Sequence, residues 1–548
     1  MSGTETGGRP TWPPLGVALT FFVVLTSFAV YLETLAPTVL PNDPFYSPDS
    51  PMLQVQAAIL GIPNSSGYPT WVMATHMFTY LPFGDSAYRA NLASAVYAAL
   101  AVLFVCLLCR ELTKSMVASA AAALLFGTSR IFWSQAVITE VYTLNALLVV
   151  LAFFTLLLWR RIRKDRCLLM AAFLVGFSLT GHLTSGLLLP VGLIFVGVVD
   201  RRKLTDVRLM LKSVGMFALG LLPYLYLPLR VATDPSLLKA GADPDTVVDF
   251  ALHPKGLLHS SAGIRPNVIG SLSPGHLLHL LARLKSESNM LAFAPEELPE
   301  RFHLYLHSMG AQFHPVFPVV AVFGVIYLLL KDRPALTLFG LAYLGWLFWA
   351  LEYKVTDIRV FFIPTYLVLA VFVAAGLFAI LTTFTSVVGK ALSPKLAIAA
   401  VFCLSALVLA SPLLRIHDRY ESVDQSKNYA ASRDLEAVAN HAPQGATIVQ
   451  HRSPLWYMTL VEHRRRDLHV VEAFPSGGYS ARGKRWAKRS GTYLRKGSVY
   501  ILFPPGLMRR NAPYFDSEGY RLIPKRRGDF YEVVVKERKT TPTRTTST

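Results

Sequence analysis

Apolar runs of about twenty residues recur along this chain, and nothing else in it constrains the fold as strongly. A helix needs about 20 apolar residues to cross a hydrocarbon core roughly 30 Å thick. Hydropathy and loop charge place about eleven such runs, at 15–33, 90–109, 116–134, 140–159, 167–184, 186–199, 209–228, 313–330, 335–352, 360–382 and 395–412. The sixth is short and could form a hairpin with the fifth. Of the 548 residues, 53% are hydrophobic and only 16% are charged, against about 25% charged in a soluble chain. The fold class is therefore mainly α, a polytopic membrane helix bundle.

Charge orients the bundle. Arg110 and Lys114, the run Arg160 to Arg166, Asp200 to Lys203, Lys331 to Arg333, and Lys390 with Lys395 lie between spans on one side. Basic short loops face the cytoplasm. The loops 34–89 and 229–312 and everything beyond about residue 412 then fall outside, with the amino terminus in and the carboxyl terminus out. An odd span count requires the same. The first run lacks a small-residue cleavage site after it and is expected to be retained as a helix. The net charge of +19 fits basic loops and anionic headgroups, and no nucleic acid is called for.

The chain is expected to divide at 412. Residues 1–412 form the bundle, 413–539 a basic α/β domain outside the membrane, and 540–548 a disordered tail without apolar content. From residue 413 onward there are 25 Lys and Arg against 13 Asp and Glu. That excess suits anionic lipid headgroups or a phosphorylated ligand, or is simply a solvated face. Helices are expected at 428–442 and 453–465, and strands at 446–450, 468–474, 499–503 and 530–537, in a βαβ-type sheet. The four cysteines, Cys106, Cys109, Cys167 and Cys403, all lie in or beside spans. They offer no outer disulfide framework and no zinc spacing. Phosphate loops, dinucleotide fingerprints and HExxH are absent from the sequence.

What remains is polar residues at the outer ends of spans, where each is costly and usually has a task. Asp49 lies in the first loop, and Tyr68 in a Gly-Tyr-Pro turn there. Arg89 and Asn91 open the second span. Trp133, Gln135, Glu140, Tyr142 and Asn145 lie at the adjoining ends of the third and fourth. His182 ends the fifth, Arg230 follows the seventh, and Asp357 and Arg359 precede the tenth. Together they suggest an outward-facing polar chamber. Singly, Glu140 could cap a helix or pair with Arg130, His182 could be a core histidine, and Arg89 could snorkel to headgroups. Asp43 reads as a turn residue. A transporter of lipid-linked sugars or a non-catalytic membrane scaffold are the rival classes; the first should show inverted repeats or broken midplane helices.

Asp49-Ser50 followed by GIPNSSGYP (61–69), LPFGDSAYRANLASA (81–95), FWSQAVITEVYTLN (132–145), GHL (181–183) and YLYLPLR (224–230) resemble, in this order, one family. Its animal members are protein O-mannosyltransferases acting on plexin-type receptor domains, and it is grouped with the GT-C glycosyltransferases. The likeness extends into the tail at 433–449 and 453–458. It implies a multi-span bundle whose first outer loop carries a catalytic acid, a polyprenyl-phosphate-linked sugar donor, and a protein or glycan acceptor at the plasma membrane. Asp49 matches the family's first-loop aspartate. Where relatives commonly read DSGEF and GIPHPPGYP, this chain has Met52 and Asn64 in place of the Glu and His. A carboxylate can take the acceptor hydroxyl's proton and cations can steady the leaving phosphate, so Asp49 is expected as general base and Arg89, Arg230, Arg359 and His182 as holders of the donor phosphate and sugar. Glu140, Gln135, Tyr142, Asn145, Asp357 and Tyr68 would shape the acceptor or sugar pocket. No cofactor is assigned, and a divalent metal is left open.

Overall fold

The computed structural model describes residues 14–41, 49–63, 67–233, 291–355, 357–450, 454–472, 487–488, 490–503, 505–526 and 529–536. Asp43, Asn64, most of the loop 229–312, the basic stretch 482–486 and the tail 540–548 lie outside them. The described residues form two compact units, one of residues 1–37 and 56–427, the other of 38–55 and 428–548.

Among the described residues the first unit is all helix, apart from turns and loops. Eight of its helices are long and apolar enough to span a membrane, and up to ten if two bent pairs each count as one span. The expected fifth run, 167–184, corresponds to the helix Asp165–Leu179, which at 15 residues is shorter than a full crossing. The sixth run, read as short, is instead 18 residues long at Leu183–Asp200. The last span helix, Pro394–Val423, carries through the expected boundary at 412 with Pro412 inside it.

Local chemistry sets the helix ends. Asp85 starts Ser86–Thr113 by accepting from the Tyr88 amide at 2.6 Å. Asp206 does the same for Leu209 at 3.0 Å, each satisfying one of the open amides of a first turn. Asp332 starts Arg333–Glu352 through the Ala335 amide at 3.1 Å, and both its oxygens also accept from Arg160, at 2.6 and 2.8 Å. The third span is bent by 67° between Met116–Gly127 and Arg130–Ala136. There the Thr128 and Ser129 hydroxyls donate back to the carbonyls of Leu124 and Phe126, and the Tyr31 hydroxyl donates to the Gly127 carbonyl at 2.7 Å.

Two crossings show how the helices cohere. A methyl group on Gly324 would strike the Phe372 carbonyl, and one on Gly376 would strike the Val320 carbonyl. Gly176 and Gly220 stand in the same reciprocal relation, against the backbones of Phe217 and Phe173. Backbone-to-backbone approach at small residues replaces the hydrophobic drive that lipid cannot supply between helices.

The second unit contains a five-stranded sheet. In chain order its strands are β1 (Thr447–Gln450), β2 (His469–Glu472), β3 (Val499–Leu502), β4 (Tyr520–Arg526) and β5 (Phe530–Val535), and their spatial order is β2-β1-β3-β5-β4. The two pairings among β2, β1 and β3 are parallel, as βαβ units require, while β5 pairs antiparallel with β3 and β4. Val449, Val499, Ile501, Phe503, Met508, Phe515 and Val533 form its core. The expected helix at 428–442 is Ala430–His441, and the expected helix at 453–465 is mostly a π-helical turn, Tyr457–Val461. The segment 38–55 groups with this unit, and in it Gln54 Oε1 accepts from the Leu40 amide at 3.1 Å.

Candidate active site

The helical unit gathers aromatic rings from four distant stretches of sequence. Tyr68 sits at the start of the helix Pro69–Phe78 in the left-handed region, with φ 38° and ψ 49°. A non-glycine residue rarely holds this conformation unless its surroundings fix it. Gly67 before it, at φ 72°, allows the turn, and a Cβ there would meet Leu227. So placed, the Tyr68 ring stacks on His182, with centroids 5.8 Å apart and planes 14° apart. Tyr142 lies against the same imidazole at 5.7 Å, and Phe361 at 6.0 Å. Tyr142 and Phe361 also meet edge-on at 5.7 Å, and Tyr353 packs on Phe361 at 4.9 Å.

Hydroxyls and amides flank these rings. His182 Nδ1 lies 2.8 Å from the Thr184 hydroxyl, and the Ser185 hydroxyl donates to Asn145 Oδ1 at 2.6 Å. Trp346 Nε1 donates to the Thr184 carbonyl at 3.1 Å. The Thr70 and Thr180 hydroxyls are paired, joining the Tyr68 turn to the end of the helix Asp165–Leu179, just ahead of His182. Glu140 is buried, and its carbonyl accepts from Trp71 Nε1 at 3.1 Å and from the Ser94 hydroxyl at 3.4 Å. Tyr68, Tyr142, His182 and Asn145, all expected from the sequence, are thus brought together. Thr184, Ser185, Trp346 and Phe361 were not expected. They lack charge, so nothing in the sequence marked them beyond their nearness to His182.

The other expected residues have different settings. Arg89 donates to the carbonyls of Thr79, Leu81 and Asp85, which locks the turn ahead of the second span. Arg230 donates to the Leu60 and Ile59 carbonyls at 2.8 and 3.3 Å. With the Tyr226 hydroxyl on the Gly61 carbonyl at 2.9 Å, it fastens the loop end that leads to Tyr68. Gln135 is buried on the short bent helix, donating to the Ser134 hydroxyl at 3.3 Å. Asp357 and the exposed Arg359 lie in the turn that carries Phe361 into the ring cluster. Asp49 belongs to the second unit, where its carbonyl accepts from the Leu53 amide at 2.8 Å as the helix Ser50–Ile59 begins. Among the described residues no group of three or more His, Cys, Asp or Glu side chains converges as a metal site.

The fold is a multi-pass membrane helix bundle with a separate five-stranded sheet unit, and the bundle carries the cluster of rings and hydroxyls. Residues 49–205 match the model for the N-terminal domain of protein O-mannosyl-transferase TMEM260, so the likeness read from the loop motifs holds. The mouse protein O-mannosyl-transferase TMEM260 is 28% identical over 292 residues, covering 52% of this chain and 40% of the mouse protein. The chain thus spans less than half the length of that relative. Among solved structures, ArnT from Cupriavidus metallidurans bound to undecaprenyl phosphate superposes with a TM-score of 0.53 at 14% identity, covering 94% of this chain and 97% of that one. The oligosaccharyltransferase AglB from Archaeoglobus fulgidus, in complex with an inhibitory peptide and a dolichol-phosphate, gives 0.55 at 14% identity, covering 97% and 75%.

Proposed function

We propose that the protein transfers a sugar, mannose by its family likeness, from a polyprenyl-phosphate carrier to a hydroxyl of a protein or other acceptor outside the cytoplasm. The observation that carries this reading is a coincidence of segments. Residues 49–205, matched to a mannosyltransferase domain, also supply Tyr68, Tyr142 and His182 to the ring cluster.

The chemistry needs few parts. The acceptor hydroxyl attacks the anomeric carbon and its proton passes to a carboxylate, for which Asp49 is the candidate base. The bond from anomeric carbon to phosphate oxygen breaks as the new glycosidic bond forms on the opposite face, which inverts the centre. The departing phosphate needs positive charge and hydrogen-bond donors, not a proton. Arg359 is exposed and borne on the Phe361 turn, and it is assigned to that phosphate with His182. Arg89 and Arg230, spent on backbone carbonyls, act by holding the first loop and its Tyr68 turn in place. Glu140, Gln135, Tyr142, Asn145 and Asp357 shape the sugar and acceptor pocket. A divalent metal has no assigned role. The basic outer unit favours anionic headgroups, and the plasma membrane with an outside carboxyl terminus is the proposed setting.

The test is Asp49→Asn in membranes supplied with polyprenyl-phosphate mannose. Loss of transfer by about 10²-fold or more is expected for a general base. Full retained transfer would remove Asp49 from the chemistry.

A further inference from the structure

Two buried polar atoms of opposite sense lie one helical turn apart at the end of the helix Arg333–Glu352. Trp349 Nε1, a donor, and Glu352 Oε2, an acceptor, are both sealed from solvent and have no hydrogen-bond partner among the described residues. Glu352 is only 7% exposed. Residues three apart on a helix are neighbours on one face, yet these two do not satisfy each other. An unmade hydrogen bond on a buried group costs about 1–3 kcal/mol, more when it is charged. Two such costs at adjacent positions call for an explanation.

The surroundings are built, not accidental. Arg301 Nε donates to the Leu351 carbonyl at 3.2 Å and its Nη2 to the Tyr353 carbonyl at 3.1 Å, clamping the backbone on both sides of Glu352. The guanidinium stands over the Phe293 ring at 4.4 Å. The Ala292 amide donates to the Glu352 carbonyl at 3.2 Å. Tyr353, the next residue, packs on Phe361, which packs on His182 and Tyr142. The orphaned pair is therefore next to the ring cluster along the chain.

The geometry points to Trp349 and Glu352 as a sugar-hydroxyl subsite of the donor pocket, an inference that rests on the function proposed above. One hydroxyl can accept from an indole N–H and donate to a carboxylate at once. The indole also offers a broad apolar face with one polar handle, which suits the two faces of a pyranose. Neither a phosphate nor a lipid tail would satisfy both atoms, because a carboxylate repels the first and the second has no hydrogen to donate.

The test uses the full-length protein in nanodiscs and two probes, a short-chain polyprenyl-phosphate mannose and the same polyprenyl phosphate without sugar. Trp349→Phe removes the donor together with part of the ring, and Glu352→Leu removes the acceptor. Each should weaken binding of the mannose-bearing lipid about tenfold or more, leave the sugar-free lipid unchanged, and leave the unliganded thermal midpoint equal or higher. Variants that bind both lipids as the wild type does would overturn the subsite while the proposed function stands. Parallel loss for both lipids with a lower midpoint would show a structural role and overturn it also. A wild type that binds neither lipid would sink the proposed function, and the subsite with it.

Discussion

The helical unit and the sheet unit of this chain are held together by opposite means. In the bundle the tightest crossings are made by glycines, Gly324 against Gly376 and Gly176 against Gly220, where backbone touches backbone. In the sheet unit the core is a set of large apolar side chains, Ile501, Phe503, Phe515 and Val533 among them, ringed by ion pairs such as Arg464 with Glu436 and Lys525 with Glu532. Lipid is as apolar as leucine, so the bundle gains by close contact and not by exclusion of water. The sheet unit folds in water and gains by burying apolar area. One chain thus carries two solvents' rules.

Gly376→Leu should produce the largest effect. The added side chain must displace the Val320 backbone, and the expected outcome is near-complete loss of monodisperse protein after detergent extraction. Normal yield would break the claim that glycine contact holds this crossing. Ile501→Ala should act on the sheet unit alone, by about 2–5 kcal/mol. Hydrogen exchange on the whole protein should show faster exchange at β1, β3 and β5, with the span helices unchanged. A matching rise in the spans would mean that the two units do not obey separate rules.

A smaller effect should come from Asp467. The Arg465 guanidinium, bonded to both its oxygens at 2.9 Å, pulls this carboxyl down to about 2, with help from the Gly445 amide at 3.1 Å. A lowered value means that the ionised form favours the folded state. Its contribution is full above the unfolded value of about 4 and is lost as pH falls through about 2. Asp467→Asn should lower the stability of the sheet unit at pH 7, and the gap to wild type should close near pH 2. A gap independent of pH would assign the effect to packing. Because the clasp is partly exposed, high salt should shrink it.

The positions of the spans were legible because hydropathy alone decides them. Their exact number was not, since Asp165–Leu179 is apolar enough in sequence but too short as a helix. Residues 413–423 looked like the start of a new domain because Arg415, His417, Asp418 and Arg419 follow Pro412. Yet Arg419 is buried and donates to the Thr128 and Gln312 carbonyls, so the helix continues. In the tail, β4 was missed because YRLIPKR mixes a proline with basic residues, and the register does shift at Pro524. The helix Pro505–Ser517 was hidden by Pro513 in its interior. At the site, Tyr68, Tyr142 and His182 could be picked out as polar groups at span ends. Their stacking could not, because it joins residues far apart in the chain.

The account stands or falls on sugar transfer to an acceptor outside the cytoplasm. Glycan profiling of cells lacking the gene, against cells restored with the wild-type chain or with Asp49→Asn, tests it most directly. The expected result is loss of a mannose-bearing product that returns with the wild type and not with the variant. An unchanged profile, or full restoration by Asp49→Asn, would contradict it.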